Sequence, residues 1–361
     1  MTNQTNVKKL LERLVETKAE TIKVGMDLHA RDVVVCVQLD GALPQRPQKM
    51  TAAGLLTLVR GLLAAGRKVY ACYEAGPCGY GLHRALLAAG ATNYVVAAEA
   101  LGDGRRQKTD NLDATALADR LDRYVRGNTQ AFSVVTVPTP AAEQARAEGR
   151  LRGQLKRTRH EWEARGRSLL LVHGHHVTGP WWTKRRWAEL QPTLSAWLVQ
   201  ELEIMRTVLT TVDVQEKARR KILEAAAPKN LPKALGALTW VLIALEVCNW
   251  ARFKNRRQVS SYTGLCPGVH QSGARQRDGC INRHGNPRVR ALLIELVWRL
   301  ARWQPDYPPV KALVAGLARG AARRKCAVAA ARKLAVDLWR LATGQTTPEK
   351  LHLIVPAEVP A

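Results

Sequence analysis

A chain of 361 residues, 46% hydrophobic and 24% charged, is long enough for two or three domains with their own cores and too apolar to be disordered throughout. Its 56 Lys and Arg stand against 30 Asp and Glu, a formal charge of +26, which points to a polyanionic partner. The seven cysteines, Cys36, Cys72, Cys78, Cys248, Cys266, Cys280 and Cys326, are odd in number and form no C-x-x-C pair, so neither a disulfide framework nor a zinc site is expected.

Residues 1–20 lack the apolar core of a signal peptide, and no run of about 18 uncharged apolar residues occurs. A cytoplasmic, nucleoid-associated bacterial protein without a membrane segment is the expectation. The charge is uneven: basic residues outnumber acidic ones 18 to 13 over residues 1–140 and 38 to 17 beyond. Charge alone fits equally a ribosomal or nucleoid-type binder with no chemistry.

In chain order, residues 21–26 and 33–39 are β-rich runs joined by Asp27-Leu28-His29-Ala30-Arg31-Asp32, the pattern of an antiparallel hairpin. A helix is predicted over 52–65, a strand over 68–73, a helix over 80–89 closed by Gly90, and a strand over 93–97. Strands alternating with helices after a hairpin predict a three-layer α/β domain. After the basic loop 102–108, residues 110–125 form an amphipathic helix with Leu112, Leu117, Leu121 and Val125 inward.

Two prolines mark 134–140 as a linker. Helical runs over 141–171 and 194–226 predict an antiparallel arm, a candidate dimerising coiled coil. Between them, 174–187 holds three of the ten tryptophans and Lys184-Arg185-Arg186. The last unit comprises an apolar helix over 235–247, a basic stretch over 252–257, a glycine-rich segment over 262–285, and helices over 288–303 and 310–341. Between Arg275 and Arg340 lie 15 basic and 4 acidic residues, dense enough for one helical face to lie on phosphates. The domains expected are 1–135, 141–228 and 229–345, with a tail over 346–361.

Four acids stand where such elements can present them together: Asp27 and Glu74 at strand ends, and Asp110 and Asp113 on one face of a helix. Phosphodiester chemistry with two metal ions needs such convergence, because Mg²⁺ or Mn²⁺ takes oxygen ligands and like-charged carboxylates repel without a cation. Each acid alone has an ordinary explanation: Asp27 as a turn cap, Glu74 as a strand-end surface residue, Asp110 as an N-cap with Asp113 in the first turn. The neighbouring Asp32, Glu99 and Asp103 rank below them.

The segments Val24-Gly25-Met26-Asp27, Tyr73-Glu74-Ala75 and Lys108-Thr109-Asp110-Asn111-Leu112-Asp113-Ala114 resemble the DEDD tetrad of the Piv-type invertases and related insertion-sequence transposases. The resemblance implies a RuvC-like, RNase H-like N-terminal domain, with Asp27, Glu74, Asp110 and Asp113 binding divalent metal.

Farther on, Gly264-Leu265-Cys266-Pro267, Ser272-Gly273, the Gly279-Cys280-Ile281 run reaching Gly285-Asn286, and Arg290 with Leu293 are similar to that family's C-terminal domain. Taken alone, Ser272 reads as an ordinary Ser-Gly loop. The resemblance makes it a covalent nucleophile, and flanking Arg275 and Arg277 could bind the phosphate it attacks. Relatives often carry Pro-Gly-x-Gly where this chain has Leu231-Pro232-Lys233-Ala234-Leu235-Gly236, so contact with DNA at that point is expected to differ. Ser260 and Ser261 are alternative hydroxyls at helical positions.

The expectation is therefore a DNA recombinase of an insertion sequence, forming a phosphoserine link. The resemblance also implies a structured guide, the bridge RNA, pairing with element ends and target DNA, and a homodimer or homotetramer. Arg105, Arg106, Lys108, Arg275, Arg277, Arg288 and Arg290 are the candidate nucleic-acid contacts. Two other readings are a metal-dependent junction resolvase without a covalent intermediate and a non-enzymatic nucleic-acid binder.

Overall fold

The computed structural model describes residues 2–97, 109–272, 275–316 and 319–356, of which 2–4, 269–272 and 275–278 are described by their backbone. Two compact units, Met1–Val137 and Pro138–Ala361, divide the chain.

The first unit opens with a helix, α1 (Thr2–Glu16), that the polar N-terminal sequence had not suggested. It buries Val7, Leu10 and Leu14, spaced three and four apart, so a single apolar stripe suffices to hold it. The strands β1 (Thr21–Leu28), β2 (Val33–Leu39) and β3 (Gln48–Met50) follow. After them come α2 (Ala52–Ala64), β4 (Lys68–Glu74), α3 (Gly81–Ala88), β5 (Thr92–Val96) and α4 (Asp110–Val125).

The five strands form one sheet in the order β3-β2-β1-β4-β5. The expected hairpin is present: β1 and β2 are antiparallel, with Leu28 across from Val33. β4 lies parallel to both β1 and β5. Alternation along β1 divides its side chains between two layers. Ile22, Val24 and Met26 enter a core with Val7, Leu10 and Leu14 of α1 and Leu55, Leu58 and Leu62 of α2. The other face is covered by α4, whose Leu117 and Leu121 pack on Cys72 and Val96. Burial pushes the Cys72 thiol well above its ordinary range and leaves it inert.

In the second unit, α5 (Pro140–Val172) and α7 (Ala196–Ala225) run antiparallel, joined through α6 (Lys184–Leu190). The pairing is visible in Arg152 on Glu216 and Arg159 on Asp213, each at 2.6 Å, with Leu170 meeting Leu198 and Leu202 farther along. At the turn, Trp181, Trp182 and Trp187 pack into that apolar end. Gly166 makes room: a Cβ there would stand 2.1 Å from the Trp181 ring.

The remaining elements are α8 (Ala237–Val247), α9 (Arg256–Thr263), β6 (Pro267–Ser272), β7 (Arg275–Ile281), α10 (Pro287–Trp303), α11 (Lys311–Val314) and α12 (Gly320–Ala342). Three expectations need correction. Leu112, expected to face inward on α4, is exposed. The glycine-rich segment holding Ser272 is not an open loop but an antiparallel hairpin of β6 and β7. The single helix expected over 310–341 is broken between α11 and α12, where Gly316 and Gly320 take φ of 67° and 53°, a region that interrupts a right-handed helix.

Candidate active site

The site in the first unit is built by how α4 lies on β1. Gly25 meets the helix backbone, and a Cβ on it would stand 2.3 Å from the Ala118 nitrogen and 2.4 Å from the Ala114 oxygen. Two residues before Gly25, the Lys23 ammonium binds the Asp122 carboxylate at 2.7 Å, both side chains buried, and Arg126 closes on Asp122 at 3.0 Å. Lys23 pairs with residue 122, Gly25 touches 118 and 114, and so Asp27 comes level with the first turn of α4. The helix runs antiparallel to the strand, and its N-terminus is laid over the strand's C-terminal end.

Asp27 and Asp110 converge there, 83 residues apart in sequence. The His29 Nε2 stands 3.3 Å from one Asp27 oxygen and 3.2 Å from one Asp110 oxygen. Among the described residues, Asp27, His29 and Asp110 are the group whose ligand atoms all lie within 4.8 Å of one another. Burial raises the Asp27 carboxyl above its ordinary range; His29 opposes this, and the negative charges of Asp110 and Asp113 add to it.

Thr109 caps α4 by accepting from the Leu112 amide at 3.4 Å, which sets Asp110 and Asp113 in the first turn, where the positive end of the helix favours anions. Glu74 ends β4, half-buried. It follows Tyr73, the partner of Met26, and by alternation it shares the sheet face of Cys72 and Asp27. Sequence reasoning missed His29, although it sits two residues after Asp27 in the hairpin turn, because a turn histidine has no periodicity to announce it.

In the second unit, Ser272 is the last residue of β6 and pairs with Arg275 of β7, as His270 pairs with Arg277. The base of this hairpin is held by a buried carboxylate. Glu246 of α8 accepts two hydrogen bonds from Arg150 at 2.9 Å and one from Asn286 Nδ2 at 2.9 Å, with Arg288 at 3.8 Å. Although burial opposes ionisation, these donors hold the Glu246 carboxyl below its ordinary range. Tyr262 donates to the Glu246 carbonyl at 2.6 Å. Gly285 passes so close to Gly264 that a Cβ would lie 2.2 Å from the Gly264 nitrogen.

The candidate nucleic-acid contacts differ in position. Arg290 donates to the Thr263 carbonyl at 3.1 Å and braces the hairpin base, whereas Arg288 is exposed. The strand backbone places Arg275 and Arg277 on β7. Arg105, Arg106 and Lys108 lie outside the described residues, as do the lower-ranked Glu99 and Asp103.

Residues 233–310, which include α8, the hairpin and α10, match the family model described as Transposase IS116/IS110/IS902 family. A Sinorhizobium fredii protein named as a transposase, y4rJ, is 32% identical over 302 residues, covering 74% of this chain and 75% of that one. The chain belongs to the IS116/IS110/IS902 family of transposases. A second S. fredii protein so named, y4qE, is 29% identical over 260 residues, 71% of this chain and 64% of its own. The transposase for insertion sequence element IS1111A of Coxiella burnetii is 28% identical over 259 residues, 67% and 69% of the two chains.

A transposase cleaves DNA and transfers its strands, and the basic charge of this one suits that partner. The segment matched by the family model contains the Ser272 hairpin and its Glu246 support; Asp27, Glu74, Asp110 and Asp113 of this transposase lie outside that segment. No helix among the described residues is long and apolar enough to cross a membrane.

Proposed function

We propose that this transposase breaks and rejoins DNA through a divalent-metal site on Asp27, Glu74, Asp110 and Asp113 and a covalent link to Ser272. The observation that carries the reading is the convergence of Asp27 and Asp110 from a strand end and a helix start, on a mixed five-stranded sheet that suits a RuvC-like domain. The donor set fits Mg²⁺ or Mn²⁺: carboxylate oxygens dominate it, and Asp27 is held partly against ionisation by anions that a cation would offset. Asp27 and Asp110 would hold the ion with His29 as a further donor, and Glu74 and Asp113, outside that close group, would complete the tetrad. When bound, the ion would offset charge on the attacking and leaving oxygens.

In the second unit, Ser272 Oγ forms a bond to phosphorus as one backbone P–O bond breaks, and the released strand oxygen takes up a proton. A serine hydroxyl needs a base or metal to activate it, a task this reading gives to the carboxylate cluster of the same or a partner protomer. Arg275 and Arg277 offset charge on the phosphate. The formal charge of +26 also supports a structured guide RNA as partner, acting with the enzyme on DNA in the bacterial cytoplasm. On α7, Trp197, Ile204 and Ile222 are exposed on one face, apolar side chains suited to a second copy in a homodimer or homotetramer.

The test is covalent trapping on nicked, labelled DNA, followed by denaturation. Wild type should retain the label, Ser272→Ala should not, and Ser261→Ala should. Equal retention by wild type and Ser272→Ala would sink the serine mechanism and favour a resolvase that hydrolyses DNA with water.

A further inference from the structure

A cleft of about 640 Å³ opens in the second unit, lined by faces of α9 and α12 and by the chain around Pro308 and Leu351. None of its described lining residues belongs to the carboxylate site or to the Ser272 hairpin. Arg256, Arg257, Arg332, Lys333, Arg340 and Lys350 contribute six cationic groups. Among the described residues one acid, Asp337, also lines it, and that acid is already engaged: Tyr307 donates to it at 2.7 Å and Arg340 stands 3.7 Å away. So many like charges facing one space call for an anion. Ser260, one turn beyond Arg256 on α9, adds a hydroxyl that can donate to a phosphate oxygen.

The rest of the described wall is mostly apolar, Pro308, Pro309, Val336 and Leu351, with Cys266 and Tyr307 beside them. A plain contact for duplex phosphates has no use for such a wall. A nucleotide does, because an unstacked base brings an apolar face attached to a phosphate. The volume falls in the usual range of small-ligand sites, roughly 300–1,000 Å³.

We infer that this cleft receives an unstacked nucleotide of a DNA single strand, its base against Pro308, Pro309, Val336 and Leu351 and its phosphates on the arginines and lysines of α9 and α12. DNA is the strand chosen because the chain belongs to a transposase family; the inference is independent of the serine chemistry proposed above. Drawing a nucleotide out of the stack would hold a strand open and fix its register while it is cut or joined.

The experiment uses the full-length protein and a short single-stranded DNA carrying a diazirine on a thymine base, with a duplex and a single-stranded RNA of the same sequence as the other arms. Photo-crosslinks should map to Pro308–Pro309 or Leu351. The double variant R257Q/K333Q, which changes two exposed side chains on different helices, should weaken single-strand binding about tenfold. It should also lower the slope of log K against log salt by about 1.4, two phosphates at roughly 0.7 each. Duplex affinity should fall less. Val336→Ser, which keeps the charges, should weaken the single strand about fivefold and the duplex hardly at all. If R257Q/K333Q shifts the melting temperature, R256Q/K350Q, also exposed, takes its place. Crosslinks confined to other segments, equal losses for duplex and single strand, or tighter binding of the RNA would each overturn the assignment.

Discussion

Gly25 of β1 lies against the backbone of Ala118 in α4, 2.3 Å from where its own Cβ would be. No flexible side chain is there to move aside, so any larger residue must push the helix off the sheet. Gly25→Ala is expected to cost about 1–3 kcal/mol and Gly25→Val more. Urea unfolding followed by circular dichroism measures the loss. Because α4 carries Asp110, divalent-cation binding should weaken in any folded fraction. A Gly25→Ala protein as stable as wild type would show that the helix does not sit this tightly on β1.

The buried pair Lys23 and Asp122, 2.7 Å apart, fixes the same helix farther along. Removing one charge strands the other in a dry interface, so Asp122→Leu alone should cost about 3–5 kcal/mol. Lys23→Met combined with Asp122→Leu should regain most of that, since an apolar pair needs no compensation. A double-mutant cycle showing simple additivity would contradict a direct coupling between them.

Cation binding at Asp27 and Asp110 should appear as a rise in melting temperature with Mn²⁺ or Mg²⁺. At a concentration of 100 Kd, a bound ion adds about 2.7 kcal/mol to stability. Asp27→Asn and Asp110→Asn should abolish the rise. His29→Ala should weaken it if the imidazole is a ligand, and should leave it unchanged if His29 only lies between the two carboxylates. A rise that persists in the Asp27→Asn, Asp110→Asn double variant would place the ion elsewhere.

Burial raises the Asp337 carboxyl above its ordinary value of 3.8, although the Tyr307 hydrogen bond opposes this. The folded protein therefore holds this proton more tightly than the unfolded chain. Asp337 then contributes a penalty that is absent below the ordinary value and grows as pH rises through the folded one. Asp337→Asn retains an oxygen acceptor for Tyr307 and cannot ionise. Relative to wild type, its stability should improve as pH rises from about 4 toward neutral. Chemical unfolding at a series of pH values checks this, and a pH-independent difference would mean that Asp337 is not raised.

Most elements of the first unit could be placed from sequence, because periodicity is local: alternation marks β1 and β2, and a 3–4 spacing of apolar residues marks α2 and α4. Asp27, Glu74, Asp110 and Asp113 could be singled out because each stands at an end of such an element. The weak stripe of α1 escaped notice, since Val7, Leu10 and Leu14 are scattered among polar residues and become a core face only once α2 and the sheet are present. The hairpin around Ser272 escaped as well, because its glycine-rich strands pair with each other and offer no alternation against a core.

By itself, then, the sequence determined most strands and helices of the first unit, the candidate acids at their ends and the basic character of the chain, all of which follow from residue type and spacing. Tertiary structure alone decided that His29 stands between Asp27 and Asp110, that Gly25 lets α4 descend onto β1, and that six cations of the C-terminal unit share a cleft with an apolar wall. The physical reason is the same in each case. These relationships join residues tens of positions apart, and their distances are set by how helices and strands pack across a core, a property that no local window of sequence contains.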